Sequence, residues 1–134
     1  MDEIKQNEAG GRLSANLNLY DLVDIEILSK NDDTLFGNVL TILISMFSSE
    51  IENIKSFSAN KQWKQVSEVA HKLKTSLTHI RAISVKQIVR DLEEYDNHSN
   101  EDLSKWSTEL CNALENMVIH LKIDLENFNK RITT

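Results

Sequence analysis

The sequence has no proline, and its 134 residues include only three glycines, Gly10, Gly11 and Gly37. β-Sandwiches and β-barrels need many tight turns, in which proline and glycine predominate. The scarcity of both residue types therefore argues against an all-β fold. It favours a few long helices joined by short connections.

The sequence also lacks paired cysteines, a leader-like segment and a long hydrophobic run. Cys111 is the single cysteine, so the chain forms no internal disulfide, and we expect a reducing compartment. The polar first 18 residues differ from a secretory signal. The longest apolar-rich stretch, LFGNVLTILISMF at 35–47, is short and interrupted for a membrane span. We therefore expect a cytoplasmic protein without membrane contact.

Positive charge is in deficit as well, because the formal net charge is −6. An acidic surface repels nucleic acid, so no nucleic-acid partner is expected. The length and the 40% hydrophobic content suit one globular domain. We predict a flexible N-terminal arm over residues 1–18 and a helical domain over 19–134. A domain of this length can close its own core, so we expect a monomer.

Apolar periodicity predicts five helices, at residues 19–29, 34–58, about 61–80, 84–97 and 100–129. The third has a regular seam with steps of three and four, formed by Trp63, Val66, Ala70, Leu73, Leu77 and Ile80. The fold predicted is all-α, an antiparallel four-helix bundle with a short additional N-terminal helix.

Polar residues before each helix are candidate caps, since their side chains can accept from free backbone N–H groups. We expect Asp32 or Asp33 to cap the second helix, Asn60 the third and Ser99 the last. Ser84 and Gln87 have the S-x-x-Q spacing of a capping box for the fourth.

The stretch AHKLKTSLTH at 70–79 places a histidine opposite the buried seam. At about 100° per residue, His71 shares its face with Lys74 and with three small residues, Ser67, Thr75 and Thr78. An exposed imidazole beside an ammonium group suits phosphoryl acceptance, because the neutral ring nitrogen is the nucleophile and the cation stabilises the arriving charge.

Basic residues concentrate around this histidine. Between Lys61 and Arg90 there are seven basic residues and one acidic residue, Glu68, in a chain that is acidic as a whole. This distribution predicts an acidic partner surface that binds near His71.

The motif AHKLK at 70–74, inside a helix of a small acidic bundle, resembles the signature of histidine-containing phosphotransfer (HPt) domains. The resemblance covers about residues 19–128. It implies that His71 is phosphorylated, that Lys74 stabilises the phosphoryl group, and that Glu93, by ungapped alignment, orients the imidazole. It further implies response-regulator receiver domains and a hybrid sensor histidine kinase as partners. The chain would bind no cofactor of its own, and Mg²⁺ would belong to the receiver.

The resemblance also suggests a docking surface. Ser67, Thr75 and Thr78 would form its floor, with Lys64 and Lys72 at the rim, and Phe36 and Leu40 are predicted to stay partly exposed. Two positions depart from the family pattern. Thr75 and Arg81 stand where glycines are usual. The alternative is therefore a degenerate HPt-like adaptor that docks a receiver or a kinase without being phosphorylated.

Two other classes of function compete with a phosphocarrier. One is a structural adaptor whose basic helix binds an acidic protein. A metal enzyme is less supported, because His71 and His79 diverge by about 80° on their helix and His98 and His120 stand alone. No metal site is predicted.

Overall fold

The computed structural model describes residues 19–133, which contain five α-helices, two 3₁₀ turns and no strand. The helices are α1 (Val23–Leu28), α2 (Asp33–Ala59), α3 (Trp63–His79), α4 (Lys86–Glu93) and α5 (Asn100–Thr133). The 3₁₀ turns, Ile83–Val85 and Tyr95–Asn97, stand before and after α4. The predicted arm at 1–18 lies outside the described residues.

Contacts between the long helices show that neighbours run in opposite directions. The ring of Phe36, early in α2, lies 4.8 Å from that of Phe128, late in α5. Further along, Lys55 of α2 pairs with Glu115, earlier in α5, at 3.0 Å. Helices α2–α5 therefore form the predicted antiparallel bundle, and α1 is the short additional helix.

On α3 and α5 the core consists of the faces predicted from the apolar periodicity. All six residues of the α3 seam are buried, and Leu103, Leu110, Leu114, Met117 and Leu121 of α5 are buried with them. Tyr20, before α1, donates to the buried carboxylate of Asp124 at 2.5 Å. This bond ties the start of the described chain to α5.

Cys111 is a core residue. Its Sγ donates to the carbonyl oxygen of Ile51 at 3.8 Å. Burial raises the pKa of the thiol to about 11.

Phe36 and Leu40 are buried, so the prediction that they stay partly exposed is wrong. Their exposed fractions are 4% and 0%. Phe36 packs against Phe128, and Leu40 belongs to the same hydrophobic cluster. Helix α2 is apolar on nearly every side, and the side that faces α5 is the one that carries these residues.

The caps are partly as predicted. Asp32 accepts from the Leu35 N–H at 2.9 Å, and Ser99 accepts from the Asp102 N–H at 3.1 Å. Asn60, however, ends α2 rather than beginning α3.

The predicted capping box does not form. The 3₁₀ turn places Val85 at the N-cap of α4, and the Gln87 amide donates to Asp91 instead.

Helix α2 has the length and composition of a membrane span. Its 27 residues include an 18-residue window of mean hydropathy 1.4. The apolar part of this helix is therefore longer than the 35–47 stretch, which by itself is too short for a span. Core helices of soluble bundles pass the same test, and α2 buries Leu40, Phe47 and Ile54 completely within the bundle.

Helices α2 and α3 end in the same way, with a non-glycine residue in the left-handed conformation. Lys61 has φ 54° and Arg81 has φ 52°. The Gln62 N–H reaches the Phe57 carbonyl at 2.9 Å, and the Ala82 N–H reaches the Leu77 carbonyl at 2.9 Å. Both ends are Schellman motifs, in which glycine is usual. Arg81 therefore keeps the left-handed stop without a glycine at this position.

We predict that Lys61→Gly stabilises the protein. A left-handed conformation costs a side chain with a Cβ about 1–2 kcal/mol, a cost that glycine does not have. The free energy of unfolding, measured by urea denaturation, should rise by about 1 kcal/mol. Arg81→Gly is the matched control and should gain slightly less, because it also removes the exposed pair with Asp24, whose bonds of 3.0 and 2.9 Å make a small contribution. A lower stability for Lys61→Gly would contradict this account.

Candidate functional site

His71 lies on the solvent side of α3. Ala70 before it and Leu73 after it are fully buried, so the helical turn directs position 71 away from the core. Its side chain is 74% exposed. The imidazole is thus open to a large partner.

The carboxylate of Glu93 lies against this imidazole. His71 Nδ1 is 2.6 Å from Glu93 Oε2, and the Glu93 side chain is 19% exposed. Leu92, the preceding residue, is buried and fixes the rotation of α4. A carboxylate has no hydrogen to donate, so Nδ1 must carry it, and the lone pair of a neutral ring is then on Nε2.

Lys74 completes a three-residue cluster. Its Nζ lies 3.1 Å from Glu93 Oε1, so each oxygen of this carboxylate faces one donor from α3. Partial burial by itself raises the pKa of Glu93. The hydrogen bonds from His71 and Lys74 outweigh it and hold the pKa below its usual value. The structure therefore brings together His71, Lys74 and Glu93.

The predicted rim differs between its two lysines. Lys72 Nζ pairs with Glu50 Oε2 at 2.9 Å, and the Asn53 amide donates to the other oxygen of Glu50. Glu50 is buried, so this pair joins α2 to α3. Lys64 is exposed and has no ion pair within residues 19–133. Sequence reasoning missed Glu50, because Glu52 lies two residues later in the same helix and only the packing of α2 against α3 shows which of the two is buried.

The predicted floor is only partly open. Thr75 and Thr78 are exposed, whereas Ser67 is half-buried. Ser67 Oγ donates to the Lys64 carbonyl at 2.7 Å, and Thr78 Oγ1 to the Lys74 carbonyl at 2.8 Å. These two hydroxyls are satisfied within the helix. Thr75 is the exposed floor residue that lies one helical turn beyond His71.

A groove of about 570 Å³ continues from the cluster between α3 and α4. Lys74 and Glu93 line one part of it, and the basic residues of the remainder are Arg81, Lys86 and Arg90. Arg81 is held by Asp24, whereas Lys86 and Arg90 have no ion pair within the described chain. The basic surface predicted from the sequence is therefore partly neutralised.

Exposed apolar side chains are present, but not at the predicted positions. Leu35 and Ile42 of α2 are 41% and 62% exposed. They lie on the same helix as Phe36 and Leu40, on the side turned away from α5.

Comparison with known families identifies the class of protein. The family model for the Hpt domain matches residues 38–124, which span most of α2, all of α3 and α4, and most of α5. The chain belongs to the Hpt domain family. No curated protein and no solved structure matches it.

Family membership fixes the general activity. Hpt domains are phosphocarrier modules of two-component systems rather than kinases, and they interact with receiver domains and histidine kinases. This agrees with the phosphotransfer function predicted from the AHKLK motif.

We predict that Glu93→Gln makes stability less dependent on pH. The folded-state pKa of Glu93 lies below its unfolded value, so its contribution to stability is present above the unfolded pKa. It is lost as pH falls through the folded pKa. Wild type should exceed the variant in unfolding free energy at neutral pH, and the difference should shrink on acidification.

Urea unfolding at a series of pH values measures this difference. Glu109→Gln is the control, because Glu109 is exposed on α5 and has no ion pair within residues 19–133. A difference in unfolding free energy between wild type and variant that stays constant from neutral to acid pH would contradict this prediction. It would show that the charge of Glu93 does not stabilise the fold.

Proposed function

We propose that this chain is a phosphohistidine carrier in a multistep phosphorelay. His71 accepts a phosphoryl group from the aspartate of one receiver domain and passes it to the aspartate of a second receiver. The donor receiver belongs to a hybrid sensor histidine kinase. The carrier acts in the cytoplasm as a monomer, without nucleic acid or membrane.

The observation that carries this proposal is the 2.6 Å contact between His71 Nδ1 and Glu93 Oε2, on an imidazole that is 74% exposed. The contact assigns the hydrogen to Nδ1 and the nucleophilic lone pair to Nε2. In the transfer, the Nε2–P bond forms while the P–O bond to the aspartyl carboxylate breaks. The ring then carries both Nδ1–H and the phosphoryl group, so it becomes cationic, and the Glu93 carboxylate stabilises that charge.

Lys74 supplies the opposite charge. The transferring phosphoryl passes through a loose transition state, so positioning and charge neutralisation contribute most of the catalysis. Lys74 Nζ lies 3.1 Å from Glu93 Oε1, one helical turn from His71, where it can reach a phosphoryl oxygen on Nε2. Glu93 therefore positions both the acceptor ring and the cation.

The partner surface combines charge with small and apolar groups. Receiver domains carry an acidic cluster with Mg²⁺. Its negative charge complements the three lysines of α3, Lys64, Lys72 and Lys74. Ser67, Thr75 and Thr78 lie beneath the approaching aspartate. Leu35 and Ile42 supply exposed apolar area in place of the buried Phe36 and Leu40. No cofactor is assigned to this chain, and Mg²⁺ stays with the receiver.

We predict that His71→Gln abolishes phosphorylation. The wild-type chain, incubated with a phosphorylated receiver and Mg²⁺, should gain one acid-labile phosphoryl group by intact-mass measurement. His79→Gln is the matched control, since His79 is an exposed histidine at the end of the same helix. A folded wild type that stays unmodified, with donors that label another Hpt domain, would contradict the carrier and favour a docking-only relative.

We predict that Thr75→Gly speeds transfer between the receiver and His71. Thr75 is exposed one turn beyond His71, and its removal lets the partner backbone approach. Glycine inside a helix costs about 1 kcal/mol, so the variant should be faster and less stable. Rapid-quench phosphotransfer measures the rate, and Thr108→Gly, at an exposed threonine within α5, controls for the helix defect. A Thr75→Gly rate equal to that of the wild type would show that Thr75 does not limit docking.

A further inference from the structure

A second cluster of polar side chains lies at the C-terminal end of α4, on residues that flank Glu93 in the sequence. Asp91, Glu94 and His98 each offer a donor atom, and these three atoms lie within 4.8 Å of one another. Helix α4 ends at Glu93, and the 3₁₀ turn Tyr95–Asn97 bends the chain back. His98 therefore returns to the side of Asp91, seven residues earlier in the sequence.

The imidazole of His98 has an unsatisfied nitrogen directed at this cluster. Its ring stands edge-on to Trp106, with centroids 4.8 Å apart and an interplanar angle of 88°. The atom Nε2 is buried and has no hydrogen-bond partner among residues 19–133, while the side chain as a whole is 25% exposed. It lies 3.9 Å from Asp91 Oδ1, which is beyond hydrogen-bond reach. A buried polar atom of this kind calls for a ligand that the described chain does not supply.

The two carboxylates add negative charge, and within residues 19–133 the basic side chain that lies within 4.0 Å of them is that of His98. Neither Asp91 nor Glu94 forms an ion pair with a lysine or arginine within residues 19–133, although this part of the chain is rich in basic residues. The Gln87 amide donates to Asp91 Oδ1 at 3.0 Å. Such a bond to a carboxylate is typical of the outer shell that orients metal ligands.

We propose that Asp91, Glu94 and His98 bind one divalent transition-metal ion of the zinc type. Zinc takes nitrogen and carboxylate oxygen ligands at about 2.0–2.2 Å in a tetrahedron, which places two ligand atoms about 3.4 Å apart. The distance between His98 Nε2 and Asp91 Oδ1 is 3.9 Å, so the two side chains must close by about 0.5 Å on binding. A small rotation of Glu94 brings in the third ligand, and water takes the fourth position. The imidazole disfavours Mg²⁺, which prefers oxygen ligands.

This site is separate from the phosphotransfer cluster. His71 is not a ligand, and His98 and Glu94 take no part in the chemistry at Nε2 of His71. The ion would fasten the end of α4 to the chain that leads into α5.

The test is metal titration of the full chain after treatment with a chelator. Co²⁺ is the spectroscopic probe, because nitrogen and carboxylate ligation produces visible absorption bands, and Zn²⁺ should displace it. We expect one equivalent per chain. His98→Gln and Asp91→Asn should each weaken binding at least about tenfold. Asp91→Asn removes a ligand but keeps the His98 ring packed against Trp106. It therefore separates the loss of a ligand from the loss of packing.

Two control variants keep the result specific to this site. His79→Gln and His71→Gln should bind Co²⁺ as the wild type does, and a large excess of Mg²⁺ should not displace it. Histidine ¹⁵N spectra should show Zn²⁺ shifting the Nε2 signal of His98. The proposal is overturned if no ion binds, if His98→Gln and Asp91→Asn bind as the wild type does, or if His71→Gln abolishes binding.

Discussion

The burial of one face of α3 determines where chemistry can occur on this protein. Ala70 and Leu73 are both fully buried, so the helix has one permitted rotation, and that rotation turns His71 and Lys74 to solvent. Leu92 does the same for α4, where its burial places Glu93 beside the imidazole. Packing contacts that carry no chemistry themselves thus set a distance of 2.6 Å between groups that do.

Pairing within the site reduces the positive field that the sequence suggests. Of the basic residues between Lys61 and Arg90, Lys72 is held by Glu50, Lys74 by Glu93 and Arg81 by Asp24. The pairs have different consequences. The Arg81 pair is exposed, so its contribution to stability is small. The carboxylate of Glu50 is buried, so the loss of Lys72 would leave an uncompensated charge between α2 and α3. The pair of Lys74 with Glu93 differs from both, because an arriving phosphoryl group competes with Glu93 for the Lys74 ammonium group.

Periodicity predicts what depends on one helix alone and fails where several elements decide together. The α3 seam, the exposure of His71 and the caps at Asp32 and Ser99 follow from local pattern. The sequence could not show whether Phe36 and Leu40 are buried or exposed. Helix α2 is apolar on nearly every side, and only the position of α5 selects its buried face. The sequence also did not show that His98 lies near Asp91, for a related reason. The end of α4 and the following 3₁₀ turn bring it to Asp91, and helical spacing does not describe an irregular turn.

The thiol of Cys111 lies in the core, bonded to the Ile51 carbonyl, with a pKa of about 11. The reactive form of cysteine is the thiolate, so at neutral pH this side chain is both shielded and almost wholly protonated. Maleimide and spin-label reagents should therefore pass over the native cysteine in the folded protein. A cysteine introduced on the open face of α3 would then be the one labelled position, and the approach of a partner to His71 could be followed without altering the core.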